Sequence, residues 1–136
     1  MNGRVKSHLD VDYDKNPKKY DLHNIQLSHK DFDFCYLNQT FEHTYDPYTC
    51  LRNVYNLLKP GGWFYTNVPA CNTPHSTPFH YYMGYTPMGL AVICEDVGFE
   101  LKEVGQWGNE EYMVKLWTRN PGWSDYTQIS NPGLNE

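Results

Sequence analysis

The chain has 136 residues, of which 40% are hydrophobic and 20% are charged. This length and composition are typical of one globular domain with a buried core. The formal net charge of −5 argues against a nucleic-acid partner, because binding to a phosphate backbone depends on clustered Lys and Arg side chains.

The cysteines lie far apart and fall mostly inside apolar runs: Cys35, Cys50, Cys71 and Cys94. This pattern indicates buried, reduced thiols, and it fits neither a disulfide framework nor a metal site. The sequence has no N-terminal apolar segment and no run of membrane-spanning length. We therefore expect a cytoplasmic protein that has no membrane partner and no bound metal.

The first predicted elements are short. Leu and Val alternate with Asp over residues 9–13, which predicts the end of a strand that carries Asp10 and Asp12 into a loop. Residues 20–25 are a weaker candidate for a second extended segment. Residues 28–31 predict the turn that leads into the next strand.

The clearest pattern is a strand, a helix and a second strand over residues 32–69. Residues 32–37 are apolar or aromatic apart from one Asp, as in a strand that is buried between helices. Asp46 offers an N-cap to the helix, and Pro47 suits its first position. Apolar residues then recur on one helical face: Cys50, Leu51, Val54, Leu57 and Leu58.

A Pro-Gly-Gly run at residues 60–62 ends this helix, and residues 63–68 predict the next strand. A loop rich in Pro, Thr, His and Tyr then covers residues 70–85. Loops of this length inside a compact domain are usually functional, so we expect this one to cover a bound acceptor.

The last predicted elements are a helix and a hairpin. The helix begins at Thr86-Pro87 and ends at Gly98, with one apolar face formed by Leu90, Ile93, Cys94 and Val97. Residues 99–104 and 111–117 alternate as strands and predict an antiparallel hairpin. We assign residues 1–118 to the domain and residues 119–136, rich in Asn, Pro, Gly and Ser, to a loosely ordered tail.

Taken together, these motifs resemble the class I methyltransferases, in particular the small-molecule branch of types 11 and 23. The motifs are Phe32-Asp33, Asn38-Gln39, Glu42-His43, Leu57-Leu58-Lys59-Pro60-Gly61-Gly62 and the run HYY..YTP.GL from His80. The resemblance implies a Rossmann-like three-layer α/β sandwich, with a mostly parallel sheet and the antiparallel C-terminal hairpin. It begins at the family's second strand, because Gly3 is the only glycine before Gly61 and no glycine-rich cofactor loop can be assigned. The fold is therefore expected to be truncated at its N-terminal edge.

The resemblance implies S-adenosylmethionine as the cofactor. The cofactor-binding residues that it implies are Asp10, Asp12, Asp21, Leu22, Asn38 and Gln39. Asp10 or Asp12 would accept hydrogen bonds from the ribose hydroxyls, since a carboxylate offers two acceptors to a vicinal diol. Asp21 and Leu22 would contact the adenine ring, and the two amides would lie beside the methyl-transfer centre. A solvated loop or turn explains each of these Asp residues equally well.

The residues implied for catalysis and for acceptor binding lie in the following loops. His43 and Glu42 are candidates for a base that deprotonates the acceptor, because His titrates near neutral pH. Both side chains would otherwise only cap the helix after them. His80 and Tyr82 would bind the acceptor, or would pack the long loop on the sheet.

The expected function is therefore methyl transfer from S-adenosylmethionine to a small-molecule or glycan-like acceptor. One alternative is a catalytically inactive remnant that acts as a binding or interaction module. Another is a fragment of a longer methyltransferase. In that second case the missing first strand would lie upstream or on a second chain, which would complete the cofactor site.

Overall fold

The computed structural model describes residues 5–71 and 84–119. Its helices are α1 (Pro17–Tyr20), α2 (Pro47–Leu57), α3 (Pro87–Val97) and α4 (Glu110–Arg119). Its strands are β1 (Phe32–Asn38) and β2 (Leu58–Asn67). Short 3-10 helices cover Tyr13–Lys15, Leu22–Asn24 and Phe41–His43.

The strands β1 and β2 pair in parallel, and α2 connects them, so the predicted strand–helix–strand unit is confirmed. Within the described residues the sheet has these two strands. This arrangement is a small α/β fold that is compatible with the expected Rossmann-like class.

The second strand begins earlier than predicted, because α2 ends at Leu57 and Leu58 already pairs with Phe32. The next pair is Phe34 with Trp63, so residues 59–62 bulge out between the two pairs. Gly62 lies where the backbones approach most closely: a Cβ atom there would lie 2.9 Å from the Lys59 carbonyl oxygen and 3.1 Å from that of Phe32. The Pro-Gly-Gly run therefore shapes the start of a strand as well as the end of a helix.

The core lies on one face of the sheet. The predicted face of α2 is buried there through Cys50, Leu51, Val54 and Leu57, whereas Leu58 is half-buried in β2. Leu37 of β1 and Phe64 of β2 pack against this core, and α3 adds Cys94. In the part of the chain that is described, helices thus cover one face of the sheet.

The prediction for α3 is confirmed in type and in position. Thr86 caps the helix by accepting a hydrogen bond from the Gly89 N–H at 3.1 Å. Gly98 ends the helix in the left-handed conformation, with φ at +117°. Both signals are local, which explains why the sequence pattern was sufficient.

The predicted C-terminal hairpin is wrong. Residues 99–104 form no strand, and α4 occupies the residues that were expected to form the second strand. Glu110 and Glu111 lie in the first turn of α4, where their negative charges interact favourably with the positive end of the helix dipole. The segment also contains Met, Leu and Lys, which are strong helix formers. The alternation of apolar and polar residues over 111–117 is too short to exclude a helix.

The two extended segments predicted before residue 26 are also wrong, because side-chain caps form short helical turns there. Asp12 accepts a hydrogen bond from the Asp14 N–H at 3.1 Å and begins the turn at Tyr13–Lys15. Asp21 accepts one from the His23 N–H at 2.9 Å and begins the turn at Leu22–Asn24. Such local bonds offer the backbone an alternative to sheet pairing.

Some predictions fall outside the described residues. These are the central part of the long loop, residues 72–83, and nearly all of the C-terminal tail. All four cysteines are free thiols; Cys50 and Cys94 are buried as predicted, whereas Cys35 and Cys71 are only half-buried. Over the described ranges, no helix has both the length and the apolar character that crossing a membrane requires.

Candidate functional site

The carboxyl ends of the two strands are joined by a pair of amide side chains. Asn38 and Asn67 are register partners at the last position of β1 and β2. Gln39 follows β1, and its N–H donates to the Asn67 carbonyl oxygen at 2.8 Å, while its Nε2 donates to Asn67 Oδ1 at 2.9 Å. Gln39 has φ at +51°, a conformation that few non-glycine residues adopt. The carboxyl edge of a parallel sheet is where open α/β folds bind ligands, and strained residues concentrate at such sites.

An open cleft of about 1860 Å³ lies beside β1. It is lined by β1, by residues between Val5 and Asp31 before it, by residues between Gln39 and Tyr45 after it, and by Val54 and Leu57 of α2. Most of the predicted site residues line this cleft: Asp10, Asp12, Asp21, Leu22, Asn38, Gln39 and His43. The structure thus brings together residues from separate segments of the sequence. A pocket for a small ligand typically measures roughly 300–1,000 Å³, so the cleft has room for more than one small molecule.

Asp10 and Asp12, the two candidates for binding the ribose hydroxyls, differ in how far their carboxylates already contact other residues of the chain. The Asp12 side chain, 43% exposed, accepts from the Asp14 N–H and lies 3.2 Å from Lys15 Nζ. The hydrogen bond from Lys15 lowers the pKa of Asp12. The Asp10 side chain is 86% exposed, and His8 Nε2 lies 3.7 Å from it. Asp10 therefore has the more accessible carboxylate oxygens.

Asp21 belongs to a polar cluster in the wall of the cleft. His23 Nδ1 donates to Asp21 Oδ1 at 2.7 Å, and His23 Nε2 accepts from the Asp46 N–H at 3.4 Å. With Nε2 as the acceptor, the ring proton resides on Nδ1. The Tyr45 ring stacks on this imidazole at a centroid distance of 3.8 Å and an interplanar angle of 8°. The cluster ties the wall of the cleft to the N-terminus of α2.

The backbone at Leu22 is held in place by a side chain of α2. Asn53 of α2 donates through Nδ2 to the Leu22 carbonyl oxygen at 2.8 Å and to the His23 carbonyl oxygen at 3.1 Å. Leu22 is half-buried and packs against the core. Its position is therefore set by the same helix that connects the two strands.

Glu42 and His43 are neighbours in sequence but differ in exposure. The Glu42 side chain is fully buried, whereas that of His43 is 25% exposed. His43 Nε2 lies 3.9 Å from Glu42 Oε1. Only His43 of this pair lines the cleft, so only His43 can contact a bound molecule directly in this conformation.

The described ends of the long loop meet beyond β2. The Tyr85 N–H donates to the Pro69 carbonyl oxygen at 3.3 Å, so the chain leaves and returns at the same edge of the sheet. Tyr85 is buried, and burial together with the nearby Cys50 and Glu42 raises the pKa of its hydroxyl to about 12. His80 and Tyr82 lie outside the described residues, and their roles remain predictions.

Two residues of this region were not identified from the sequence, Asn67 and Tyr45, and no role was assigned to the side chain of His23. Asn67 lies near the end of a predicted strand, as Asn38 does, so the same argument predicts both residues. The Asp21–His23 spacing is a short-range cap signal. Nothing in the local pattern pointed to the stacking of Tyr45 on His23, since these residues come from different turns.

A comparison with protein-family models matches residues 5–66 to the Methyltransferase domain of type 11. The matched segment includes β1, α2, most of β2 and every residue that lines the cleft. Comparisons with curated proteins and with solved structures give no match.

Proposed function

We propose, from the premise that residues 5–66 are a class I methyltransferase domain of type 11, that the cleft beside β1 binds S-adenosylmethionine. The family match confirms, for this segment, the resemblance that the sequence motifs indicated, and it indicates methyl transfer as the general reaction. The observation that supports the cofactor site is the convergence of three acidic residues and the strand-end amides on one cleft. We propose a small molecule as the methyl acceptor.

The residues of the cleft suit the polar parts of such a cofactor. We assign the ribose hydroxyls to Asp10, because its carboxylate is more accessible than that of Asp12. Asp21 and Leu22 would offer an acceptor and an apolar contact to the adenine ring. Gln39 is held to Asn67 by two hydrogen bonds and would orient the methyl-donating part of the cofactor at the ends of the strands.

The cofactor, when bound, supplies an electrophilic sulfonium methyl group. The chain's own contribution is to orient the acceptor, to exclude water and to accept a proton. We propose His43 as the base, because its ring lines the cleft next to the carboxyl end of β1. Glu42 lies 3.9 Å from His43 Nε2 and would face the charge that the ring acquires, so it acts through His43 and does not touch the acceptor.

The cofactor site is expected to be incomplete in this chain alone. No glycine occurs between Gly3 and Gly61, so no glycine-rich loop brings backbone N–H groups to the cofactor. The cleft also exceeds the usual volume of a small-ligand pocket. We propose that a further segment or a second chain supplies the remainder of the site.

A second candidate function is binding without catalysis, in a methyltransferase-like module. The full burial of Glu42 favours it, since a buried carboxylate does not contact a bound acceptor. Such a module would bind the cofactor or its product and would transfer no methyl group to any acceptor.

The first prediction concerns cofactor affinity. Titration calorimetry of the chain with S-adenosylhomocysteine should detect weak binding, with a dissociation constant above about one micromolar, or about −8 kcal/mol. The reason is that the acidic and amide contacts remain while the glycine-rich loop is missing. Tighter binding would show that this loop is dispensable, and no binding at millimolar ligand would contradict the proposed cofactor site.

Two variants with the same change in charge locate the site. Asp10→Asn should weaken binding by roughly tenfold, because it removes a charged acceptor from the ribose hydroxyls. Glu103→Gln changes an exposed carboxylate that does not line the cleft, and it should leave the affinity unchanged. Equal affinities for both variants would rule out the assignment of Asp10.

A further inference from the structure

The core contains a buried tyrosine hydroxyl. Tyr85 is 8% exposed and belongs to the same core cluster as Phe41 and Cys50. Its hydroxyl oxygen is fully buried and, within residues 5–71 and 84–119, has no hydrogen-bond partner. A buried polar group without a partner costs stability, and the great majority of such groups in folded proteins are paired. The hydroxyl of Tyr85 is an exception that calls for a physical explanation.

The carboxylate that acts on Tyr85 belongs to Glu42. Glu42 follows Phe41 in the 3-10 helix Phe41–His43, and its side chain is fully buried as well. Burial, the nearby Cys50 thiol and the Glu42 carboxylate together raise the pKa of Tyr85 to about 12. The phenol therefore keeps its proton near neutral pH. A protonated phenol can donate a hydrogen bond, and a carboxylate can accept it.

Glu42 also connects this part of the core to the cleft. Its Oε1 atom lies 3.9 Å from His43 Nε2, and the His43 ring lines the cleft. When the ring takes up a proton, it becomes a cation that attracts the carboxylate. An ion pair in a protein interior is stable only if further hydrogen bonds satisfy the remaining lone pairs of the carboxylate. The hydroxyl of Tyr85 is a buried donor that can meet this need from the core.

We propose that Tyr85 is a positioning residue for His43, and that its hydroxyl donates a hydrogen bond to the Glu42 carboxylate when His43 carries a proton. The bond holds the negative charge of Glu42 beside the imidazolium. The backbone of Tyr85 is itself anchored, because its N–H donates to the Pro69 carbonyl oxygen at 3.3 Å. The importance of this link for catalysis rests on the proposed role of His43 as the base, whereas the link itself does not require that the cleft bind a cofactor.

The other titratable groups around this core have separate contacts. Cys50 lies in the same cluster, but burial raises the pKa of its thiol to about 12, so the thiol carries no charge where His43 titrates. Further carboxylates act on the thiols of the cluster: Asp21 and Asp46 on Cys50, and Glu95 of α3 on Cys94. The charge that links Tyr85 to His43 is therefore that of Glu42.

Proton NMR of the full chain tests the proposal by following the titration of the His43 ring. The signal is assigned by its loss in His43→Gln. Tyr85→Phe removes the hydroxyl and keeps the ring, so it should move the midpoint of the His43 titration to lower pH by roughly half a unit. Glu42→Gln should move the midpoint in the same direction and at least as far. Tyr55→Phe makes the same change on α2 at a residue that does not line the cleft, and should leave the midpoint unchanged.

A double variant and the pH dependence of stability separate this link from simple packing. Tyr85→Phe combined with Glu42→Gln should titrate as Glu42→Gln does, because the hydroxyl acts through the carboxylate. Circular dichroism shows whether each variant retains its fold. In urea unfolding, Tyr85→Phe should lose stability relative to the natural chain as the pH falls through the His43 titration, since the hydrogen bond is present when the ring is protonated.

A hydroxyl that only fills space gives a different result. Tyr85→Phe would then leave the His43 midpoint unchanged and would be as stable as the natural chain or more stable at every pH, which would overturn the proposal. An equal shift in Tyr55→Phe would overturn it as well. These measurements need no cofactor, so a chain that binds no S-adenosylhomocysteine would contradict the proposed cofactor site while the titration of His43 still decides the role of Tyr85.

Discussion

At the scale of single residues, two backbone positions set how β1 and β2 meet. Gln39 adopts a left-handed conformation directly after β1, and its backbone and side chain both bond to Asn67. Gly62 lies in the bulge at the other end of the pairing, where the Lys59 and Phe32 carbonyl oxygens leave no room for a Cβ atom. One position is held by hydrogen bonds and the other by the lack of a side chain.

Gly62→Ala is expected to lower the free energy of unfolding by about 1–3 kcal/mol, because the new methyl group would meet backbone atoms that cannot rotate away. Gly61→Asn is the control: Gly61 has φ at +75° with nothing within 4 Å of its Cβ position, and Asn tolerates that conformation better than most residues. Its cost should be clearly smaller. Urea unfolding of both variants measures the difference, and an equal loss for the two would show that crowding at Gly62 is not the cause.

At the scale of elements, α2 links the core to the candidate site. Its N-terminus is capped by Asp46, which accepts from the Thr49 N–H at 3.1 Å and from Thr49 Oγ1 at 2.6 Å. Its buried face packs on the sheet, and Asn53 on its flank holds the turn that carries Leu22. A change that loosens α2 is therefore expected to disturb both the core and the wall of the cleft.

Leu51→Ala tests this packing. Leu51 is fully buried in α2, so the truncation should cost about 2–5 kcal/mol in the free energy of unfolding. Leu58→Ala should cost less, because Leu58 is only half-buried at the start of β2. Asn56→Ala, on the exposed side of the same helix, serves as the control and should change stability little. Thermal unfolding that leaves Leu51→Ala indistinguishable from Asn56→Ala would refute the assigned face.

At the scale of the whole molecule, thiols in β1, α2 and α3 make the free energy of unfolding depend on the pH. Burial raises the pKa of Cys50 in α2 from its ordinary value of 9.0 to about 12, and the carboxylates of Asp21 and Asp46 add to this shift. Burial likewise raises the pKa of Cys35 in β1 and of Cys94 in α3 to about 11. The folded state therefore keeps three protons that the unfolded chain releases more readily.

The free energy of unfolding should accordingly fall as the pH rises above about 9. The thiol contribution is fully present below the unfolded pKa and is lost as the pH approaches the folded values of about 11 to 12. Denaturant unfolding between pH 7 and 10 measures the slope, and Cys50→Ala should reduce it. Recovery of stability on return to pH 7 controls for damage by base. A free energy of unfolding that does not change over this range would contradict the prediction.

The sequence by itself determined the strand–helix–strand unit and α3, because their signals are local. An N-cap with Pro in the first turn, an apolar face of helical period and a glycine at the end were sufficient for α2 and α3. The motifs around β1 also indicated the methyltransferase family, which the match confirmed for residues 5–66. The residues proposed for the cofactor were implied by this resemblance, and seven of the residues singled out for the site line one cleft.

Only the tertiary structure decided the remaining points. It showed α4 where a strand was expected, Glu42 buried while His43 faces the cleft, and Asp10 more accessible than Asp12. It also paired Gln39 with Asn67 across 28 positions of sequence and left four aromatic side chains of the sheet more than half exposed: Phe34, Tyr36, Trp63 and Tyr65. The physical reason is that burial and pairing depend on segments distant in the chain, whereas a periodic pattern reports only on the nearest neighbours of each residue.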